Sequence, residues 1–362
     1  MSTLLVYGSY GFVGSLVTRE ALDRGIDVVL AGRDGGQLDD QVSDLGRPAV
    51  QFSADEPSVI VEALEDIDCL LNCAGPFSNT APTLVEACLE GSTDYVDITG
   101  EIPVIEWIKR RDAEATDREV TLLPAAGFSA VPMDCLGAHL ADRFPDANAL
   151  SMGVDSFRVP SIGSLRTVIE GIETGGAVYQ EGELEYVPAA WRTRRIDFGR
   201  GSLPAVTMPM GDVSTAHETT GIPTVEVYAV MPQPARLVLK AHRYLAPILA
   251  SRPVKRLLKG AAGLVREGPS ERARERGGAY IWGEARGDGR RAVSRLQTPD
   301  PYVVTVDAAV TAAERVLEGD AGDGYRTPAG AFGPEFVFDL DDVKGFFDEP
   351  MQRRVGELPV TT

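Results

Sequence analysis

Three glycines, Gly8, Gly11 and Gly14, stand at the spacing of a phosphate-cradling turn within the stretch LLVYGSYGFVG, Leu4 to Gly14. Gly8 permits a tight turn, Gly11 lets backbone N–H groups reach a pyrophosphate with no Cβ in the way, and Gly14 lets a helix pack closely on the preceding strand. The N–H groups at the start of that helix then face the anion, where hydrogen bonding and the helix dipole both favour negative charge. In a chain with 38 glycines this spacing arises easily by chance. Its setting does not: an apolar strand runs into the turn and a helix leaves it near Phe12. That context marks Gly8, Ser9, Tyr10, Gly11, Phe12, Val13 and Gly14 as a dinucleotide site.

The second strand tells which dinucleotide. Turns specific for NAD carry an acidic residue at its end, where it binds the ribose 2′-hydroxyl. Here the place reads Ala31-Gly32-Arg33. A small residue followed by an arginine suits a 2′-phosphate, which a guanidinium grips with two parallel hydrogen bonds. NADP(H) is therefore expected ahead of NAD(H). Asp34 next door speaks for NAD, and Arg33 has the alternative of an ordinary surface arginine. Asp55 ends the third strand, where it meets the adenine or caps the helix before Pro57. The fourth strand delivers Cys73, Ala74, Gly75 and Pro76 to the carboxyl edge of the sheet, beside the point where ligands of open α/β sheets bind. Gly127 and Phe128 follow the sixth strand and approach the nicotinamide from the other side; Ser129 reads as a helix cap.

A nicotinamide enzyme needs hydride alignment, a proton donor or acceptor, and a dry site. After the fifth strand, alternation puts Tyr95, Asp97 and Thr99 on one face. Tyr95 can donate a proton and Asp97 can orient a donor. Equally, a buried tyrosine bonded to a carboxylate can simply pin the loop. Of the three histidines, His139 sits in an apolar helix and His242 in a basic segment. His217 lies in the polar stretch GDVSTAHETTGIP, read as a loop, and is either a general acid or a solvated histidine. No spacing among histidines and cysteines makes a metal site.

The elements that must position these residues alternate strand and helix through about residue 130. Strands are expected at Leu4–Gly8, Val28–Gly32, Ala49–Ser53, Cys69–Asn72, Asp94–Ile98 and Val120–Pro124. Helices are expected at Phe12–Arg24, Pro57–Leu64, Ala81–Glu90 and Val104–Arg118. This is an α/β pattern, a Rossmann-type doubly wound parallel sheet of order 3-2-1-4-5-6. From about Ala149 the pattern turns to β-rich stretches, Leu150–Arg158 and Thr224–Met231, with a helix at Ser164–Thr174. Strands near Ala279–Arg286 and Arg291–Thr298 and a helix at Tyr302–Leu317 follow. The expected domains are a dinucleotide-binding domain (1–130), a β-rich α+β domain for substrate and dimerisation (131–300), and a helix and tail (301–362) returning to the first.

At 362 residues and 44% hydrophobic content the chain can fill two cores. Net charge is −19, and only five of the 35 basic residues are lysine. Such an acidic, lysine-poor surface suits a halophilic, high-salt cytoplasm and argues against nucleic acid as a partner. No apolar run reaches about 18 residues, and a strand from Leu4 leaves no room for a signal peptide, so a cytoplasmic location is expected. Cys69, Cys73, Cys88 and Cys135 read as buried free thiols. One segment breaks the acidic pattern: 235–276 holds eleven Lys or Arg against three Glu, beside apolar runs. It reads as an arm for an acyl substrate or a peripheral membrane contact, or as a partner for the acidic surface of a dimer mate.

The stretches LLVYGSYGFVG, LLNCAGPFSNTAPTLVEACLEGSTDYVDITGE, LLPAAGFSAVPMD, TPDPYVVTVDAAVTAAERVLEG and TPAGAFG occur in that order. Together they resemble the saccharopine dehydrogenase-like oxidoreductases, above all the branch of trans-acting enoyl reductases and saccharopine dehydrogenase-like proteins. The resemblance implies an NADP-type Rossmann domain, an inserted β-rich domain and a returning C-terminal helix. It also implies that Ser161–Thr167 lies across the cleft near substrate. The expected activity is hydride transfer from NAD(P)H to a polarised C=C, C=O or C=N bond of a small or lipid-like substrate, in a homodimer. The alternatives are an imine reductase of the saccharopine type, with Arg158, Arg166, Arg192, Arg194 and Arg195 as carboxylate anchors, or a dinucleotide-binding sensor without turnover.

Overall fold

Apolar runs such as Leu4–Val6, Leu70–Leu71 and Leu122–Leu123 are completely buried, as strands covered by helices on both faces must be. The computed structural model describes residues 2–156, 175–233, 236–237, 239 and 277–353. These divide into two compact units, Met1–Val131 with Tyr302–Asp341, and Pro132–Pro301 with Asp342–Thr362.

The first unit runs β1 (Thr3–Tyr7), α1 (Phe12–Asp23), β2 (Asp27–Gly32), α2 (Gly35–Leu45), β3 (Ala49–Gln51), α3 (Pro57–Ala63), β4 (Cys69–Asn72), α4 (Ala81–Gly91), β5 (Asp94–Asp97), α5 (Ile102–Lys109), α6 (Asp112–Asp117) and β6 (Thr121–Leu123). All strands are parallel, in the order β6-β5-β4-β1-β2-β3, and a short strand Gly324–Tyr325 extends the β6 edge. The expected order 3-2-1-4-5-6 is thus the observed one. Register aligns the ends that matter: Tyr7 pairs with Ala31 and with Asn72, and Asn72 pairs with Asp97. The carboxyl ends of four strands therefore share one edge, with the order reversing between β1 and β4.

Two local readings are corrected. The helix expected over Val104–Arg118 is two helices, because the Arg111 N–H bonds Ile108 O in a tight turn. The chain then reverses at Glu119, where φ is +56°. Helix α2 was not foreseen, since only Leu38 of its eleven residues is buried. The long helix Pro301–Leu317 belongs almost wholly to the first unit. There Arg24, at the end of α1, bonds Asp307 at 2.6 Å and Glu314 at 2.9 Å.

The second unit contains α7 (Val131–Arg143), β7 (Ala149–Asp155), β8 (Gly176–Gln180), β9 (Glu183–Val187), β10 (Thr193–Asp197), β11 (Ser202–Thr207), α8 (Asp212–Thr220), β12 (Thr224–Val230), β13 (Ala279–Gly287) and β14 (Arg290–Thr298). Its sheet follows the order β10-β11-β12-β7-β13-β14 and is mixed: β12 and β7 are parallel, whereas β7–β13 and β13–β14 are antiparallel. On one face Ile196, Phe198, Tyr228, Trp282 and Val293 cluster. On the other, Gly283 lies beneath Leu136 and Leu140 of α7, which leave no space for a Cβ. The tail departs from expectation: strands Lys344–Gly345 and Gln352–Arg353 both pair with β14, covering an otherwise open edge of this second sheet. Ser164–Thr174 and nearly all of 235–276 fall outside the described residues. Among the described residues no helix is long and apolar enough to cross a membrane.

Candidate functional site

The glycine turn is built as a cradle. Gly8 has φ +80°, and a Cβ there would stand 2.9 Å from the Ala74 Cβ, so the turn and the loop after β4 touch. A Cβ on Gly14 would run into the Gly8 carbonyl, whereas one on Gly11 would press on it at 3.1 Å and meet nothing else within 4 Å. Helix α1 begins from an extended Gly11 (φ −66°, ψ 165°) with no side-chain cap. Among the described residues the N–H groups of Val13 and Gly14 therefore have no side-chain acceptor and suit an external anion. Ser9 serves the turn differently. It is buried, its hydroxyl donates to Gln41 Oε1 at 2.7 Å, and Gln41 Nε2 donates back to Ser9 O at 3.0 Å. Helix α2 thus holds the cradle from behind.

At the end of β2 the two charged neighbours part ways. Asp34 caps α2, with one carboxylate oxygen accepting from Gln37 N at 3.2 Å and the other from Gln37 Nε2 at 2.9 Å. Those Gln37 hydrogen bonds hold its pKa below the ordinary carboxylate value. Arg33 is exposed, and among the described residues its guanidinium makes no hydrogen bond or ion pair. Its backbone is fixed from both sides: Tyr10 Oη accepts from Arg33 N at 3.1 Å, and Gln51 Nε2 donates to Arg33 O at 3.2 Å. Asp55 is exposed as well, but it does not cap α3; the N-cap is Glu56, whose carboxylate accepts from Ser53 N at 2.9 Å.

A buried polar chain joins the ends of β4, β5 and β6. Asn72 Nδ2 donates to Tyr95 Oη at 3.1 Å and to Thr80 Oγ1 at 3.1 Å, and Asn72 Oδ1 accepts from Ala74 N at 3.0 Å. Tyr95 Oη donates to Asp97 Oδ2 at 2.9 Å. Asp97 Oδ1 accepts from Thr99 N and from Ala125 N, each at 2.9 Å. Tyr95 and Asp97 are 0% exposed. Burial raises the Asp97 carboxyl to about 6 against the opposing effect of these donors. Burial, with Asp97 adding to it, pushes the Tyr95 phenol well above its ordinary range. The expectation that Tyr95 donates a proton to substrate is therefore corrected: it has no exposed surface, and its proton is held by Asp97. The pair pins loops, the alternative the sequence had left open.

Glu101, which the sequence had not singled out, clasps the loop after β4. Its two carboxylate oxygens accept from Phe77 N at 2.8 Å and Ser78 N at 3.1 Å. Cys73, Ala74, Gly75 and Pro76 thereby lie between two anchors, Asn72 and Glu101. Across β5, the Phe128 N–H donates to Thr305 Oγ1 at 3.2 Å, and Gly127 lies close enough to Thr305 and Ile98 that a Cβ would crowd both. Ser129 reaches Thr99 O at 3.4 Å. Gly8, Ala74, Asn72 and Ala125 thus surround one strand edge. The residues present fit a dinucleotide, and the bare Arg33 with a withdrawn Asp34 fits its 2′-phosphorylated form.

In the second unit His217 lies in α8 rather than in a loop. Val213 and Ala216 are buried and hold that helix in place. The imidazole stacks on Tyr179 with centroids 3.8 Å apart, and its Nδ1 is 3.0 Å from Ile222 O. Of the arginines offered as carboxylate anchors, Arg192 pairs with Glu226, Arg194 bonds the fully buried Glu284 at 2.6 Å, and Arg195 bonds Ser202 O at 2.6 Å. Arg158, Arg166 and Ser161–Thr167 lie outside the described residues. Among the described residues no cluster of His, Cys, Asp or Glu could hold a metal.

Comparison with known proteins bears on both units. Residues 4–123 match the model of the saccharopine dehydrogenase NADP binding domain. A trans-acting enoyl reductase of Mycobacterium ulcerans (strain Agy99) is 28% identical over 48% of this chain and 45% of its own length. A human saccharopine dehydrogenase-like oxidoreductase is 27% identical over 36% of this chain and 35% of its own length. The match therefore spans less than half of these curated relatives. The solved structure of apo saccharopine dehydrogenase (L-Glu forming) from Saccharomyces cerevisiae superposes with a TM-score of 0.62 over 94% of this chain and 96% of that one. At 14% identity, that likeness is one of fold.

Proposed function

We propose, from the premise that the chain belongs to the saccharopine dehydrogenase-like oxidoreductases through its NADP-binding domain, that it is an NADPH-dependent reductase of a small or lipid-like substrate. The observation that carries this reading is the end of β2, where an Arg33 unpaired among the described residues stands beside an Asp34 already bonded to Gln37, one strand from the glycine cradle. When bound, NADPH supplies hydride to a polarised C=C, C=O or C=N bond. The chain's own residues do the positioning. The Gly8–Gly14 turn receives the pyrophosphate and Arg33 the 2′-phosphate. Asn72, Asp97 and Glu101 hold the loops at the carboxyl edge where dinucleotides lie on open α/β sheets.

Within that class the second-unit arginines favour a substrate with few carboxylates. Arg192, Arg194 and Arg195 are already bonded to groups of the same unit, so they do not stand ready as anchors for an amino-diacid imine. Reduction of an enoyl group on a lipid-like chain is the reading this leaves in front. His217 is its candidate proton donor, and the basic segment 235–276 is the part that would meet an acyl chain or an anionic membrane surface, in a cytoplasmic homodimer.

The test is loss of NADPH absorbance when the full chain meets a panel of enoyl esters, ketones and preformed imines. Turnover with an enoyl ester supports the proposal. Turnover with amino-acid imines alone selects the saccharopine-type alternative. NADPH binding without consumption by any of them would make the chain a sensor.

A further inference from the structure

Tyr10 occupies the variable place before the second glycine of the cradle, yet its side chain turns toward β2. Its ring lies against Gly32 so closely that a Cβ on Gly32 would strike it. Its oxygen accepts from Arg33 N and Asp34 N, both at 3.1 Å. A phenol has two acceptor positions and one proton. Both acceptor positions are thus filled by backbone, and the O–H remains to be given away. The acceptors beside it bond elsewhere: Arg33 O accepts from Gln51, and the Asp34 oxygens accept from Gln37. Among the described residues nothing accepts from Tyr10. Two unused donors, the Tyr10 hydroxyl and the Arg33 guanidinium, therefore belong to one short stretch of half-buried and exposed surface at the end of β2.

A guanidinium and a phenolic O–H together match a phosphomonoester, which offers several strong acceptor oxygens and up to two negative charges. A ribose hydroxyl would leave the charge of the guanidinium unmatched. We propose that Tyr10 is a specificity-determining residue that reads the 2′-phosphate of NADPH together with Arg33. The inference rests on the NADPH reading above. Tyr10 does this from within the pyrophosphate turn, so one residue ties the phosphate cradle to the loop that selects the cofactor. The two backbone N–H groups it accepts strengthen the donation by polarising the hydroxyl.

The test compares wild type with Tyr10→Phe, which keeps the ring over Gly32 and removes only the oxygen. Calorimetric titrations of the full chain with NADPH, NADH and 2′,5′-ADP, with inorganic phosphate as competitor, supply the readout, and circular dichroism checks folding. The expected result is a roughly tenfold loss of NADPH and 2′,5′-ADP affinity with NADH changed less than about twofold. Equal losses for NADPH and NADH would reduce Tyr10 to a structural prop and overturn the inference, as would no loss at all. Competition by millimolar phosphate in wild type but not in the variant supports it; equal competition in both opposes it. If Tyr10→Phe fails to fold, the phosphorus resonance of NADP⁺ bound to Arg33→Ala, where the guanidinium no longer acts on the phosphate, decides. A 2′-phosphate that titrates at lower pH when bound than when free supports donation, and an unshifted titration overturns it. A wild type that binds NADH as tightly as NADPH overturns the cofactor reading itself, whereas a clear NADPH preference that Tyr10→Phe leaves intact overturns the Tyr10 inference alone.

Discussion

The Tyr95 hydroxyl donates to Asp97 Oδ2 at 2.9 Å with both side chains fully buried. Because the other Asp97 oxygen receives the N–H groups of Thr99 and Ala125, one carboxylate fixes the loops after β5 and β6 together. Asn72 extends the same chain to the loop after β4. Three of the segments that would line a dinucleotide are thus held by a single connected set of hydrogen bonds, and such sets are worth more together than bond by bond.

A pH dependence follows from Asp97. Burial raises its carboxyl from the ordinary 3.8 to about 6, so the folded state binds this proton more tightly than the unfolded chain does. The resulting stabilisation is complete below about pH 4 and is lost as pH rises through about 6, on the order of 2–3 kcal/mol in all. Denaturant titrations of wild type and Asp97→Asn across that window should show a stability difference that shifts against wild type as pH rises. A difference that stays flat contradicts the assignment.

The glycines divide by role. A Cβ on Gly14 would meet the Gly8 carbonyl well inside contact distance, so Gly14→Ala should unfold or strongly destabilise the first unit. Gly11→Ala presses on that oxygen at 3.1 Å and meets nothing else within 4 Å, so it should cost far less stability than Gly14→Ala and yet weaken dinucleotide binding by tenfold or more. Thermal melts paired with cofactor titrations check both. An unfolded Gly11→Ala, or one with unchanged affinity, contradicts the cradle.

Much of this was open to the sequence, and the reason is period and proximity. The strand and helix alternation, the strand order and the glycine turn all rest on patterns a few residues long. What stayed hidden depends on partners far apart in the chain. Nothing near Tyr95 says that Asn72 will meet its hydroxyl, and nothing near Phe77 announces Glu101. The stretch around His217 read as a loop because Asp, Ser, Thr and Gly favour turns; packing of Val213 and Ala216 makes it a helix. Helix α2 was missed for the complementary reason, a face too polar to show a stripe.

Helix Pro301–Leu317 should depend on Arg24. The guanidinium contacts Glu20, Asp307 and Glu314, and Asp307, only 8% exposed, also accepts from Asp341 N at 2.7 Å. Arg24→Ala leaves that carboxylate without its cation and should cost about 3 kcal/mol, as expected when one partner of a largely buried pair is removed. Equilibrium unfolding of the variant measures it. A loss under about 0.5 kcal/mol would mean the cluster behaves as exposed pairs do.

Arg33→Ala should weaken NADPH binding by roughly 10- to 100-fold, the usual range for a charge-assisted contact, and leave NADH nearly unchanged. Parallel fluorescence titrations with the two cofactors read the ratio. Equal losses would show that Arg33 does not discriminate between them.

The most direct measurement is calorimetric titration of the unmodified full chain with NADPH and with NADH under the same buffer and salt. With Arg33 unpaired among the described residues and Asp34 turned into α2, NADPH should bind at least tenfold tighter than NADH. Equal affinity for the two, tighter binding of NADH, or no binding of either contradicts it.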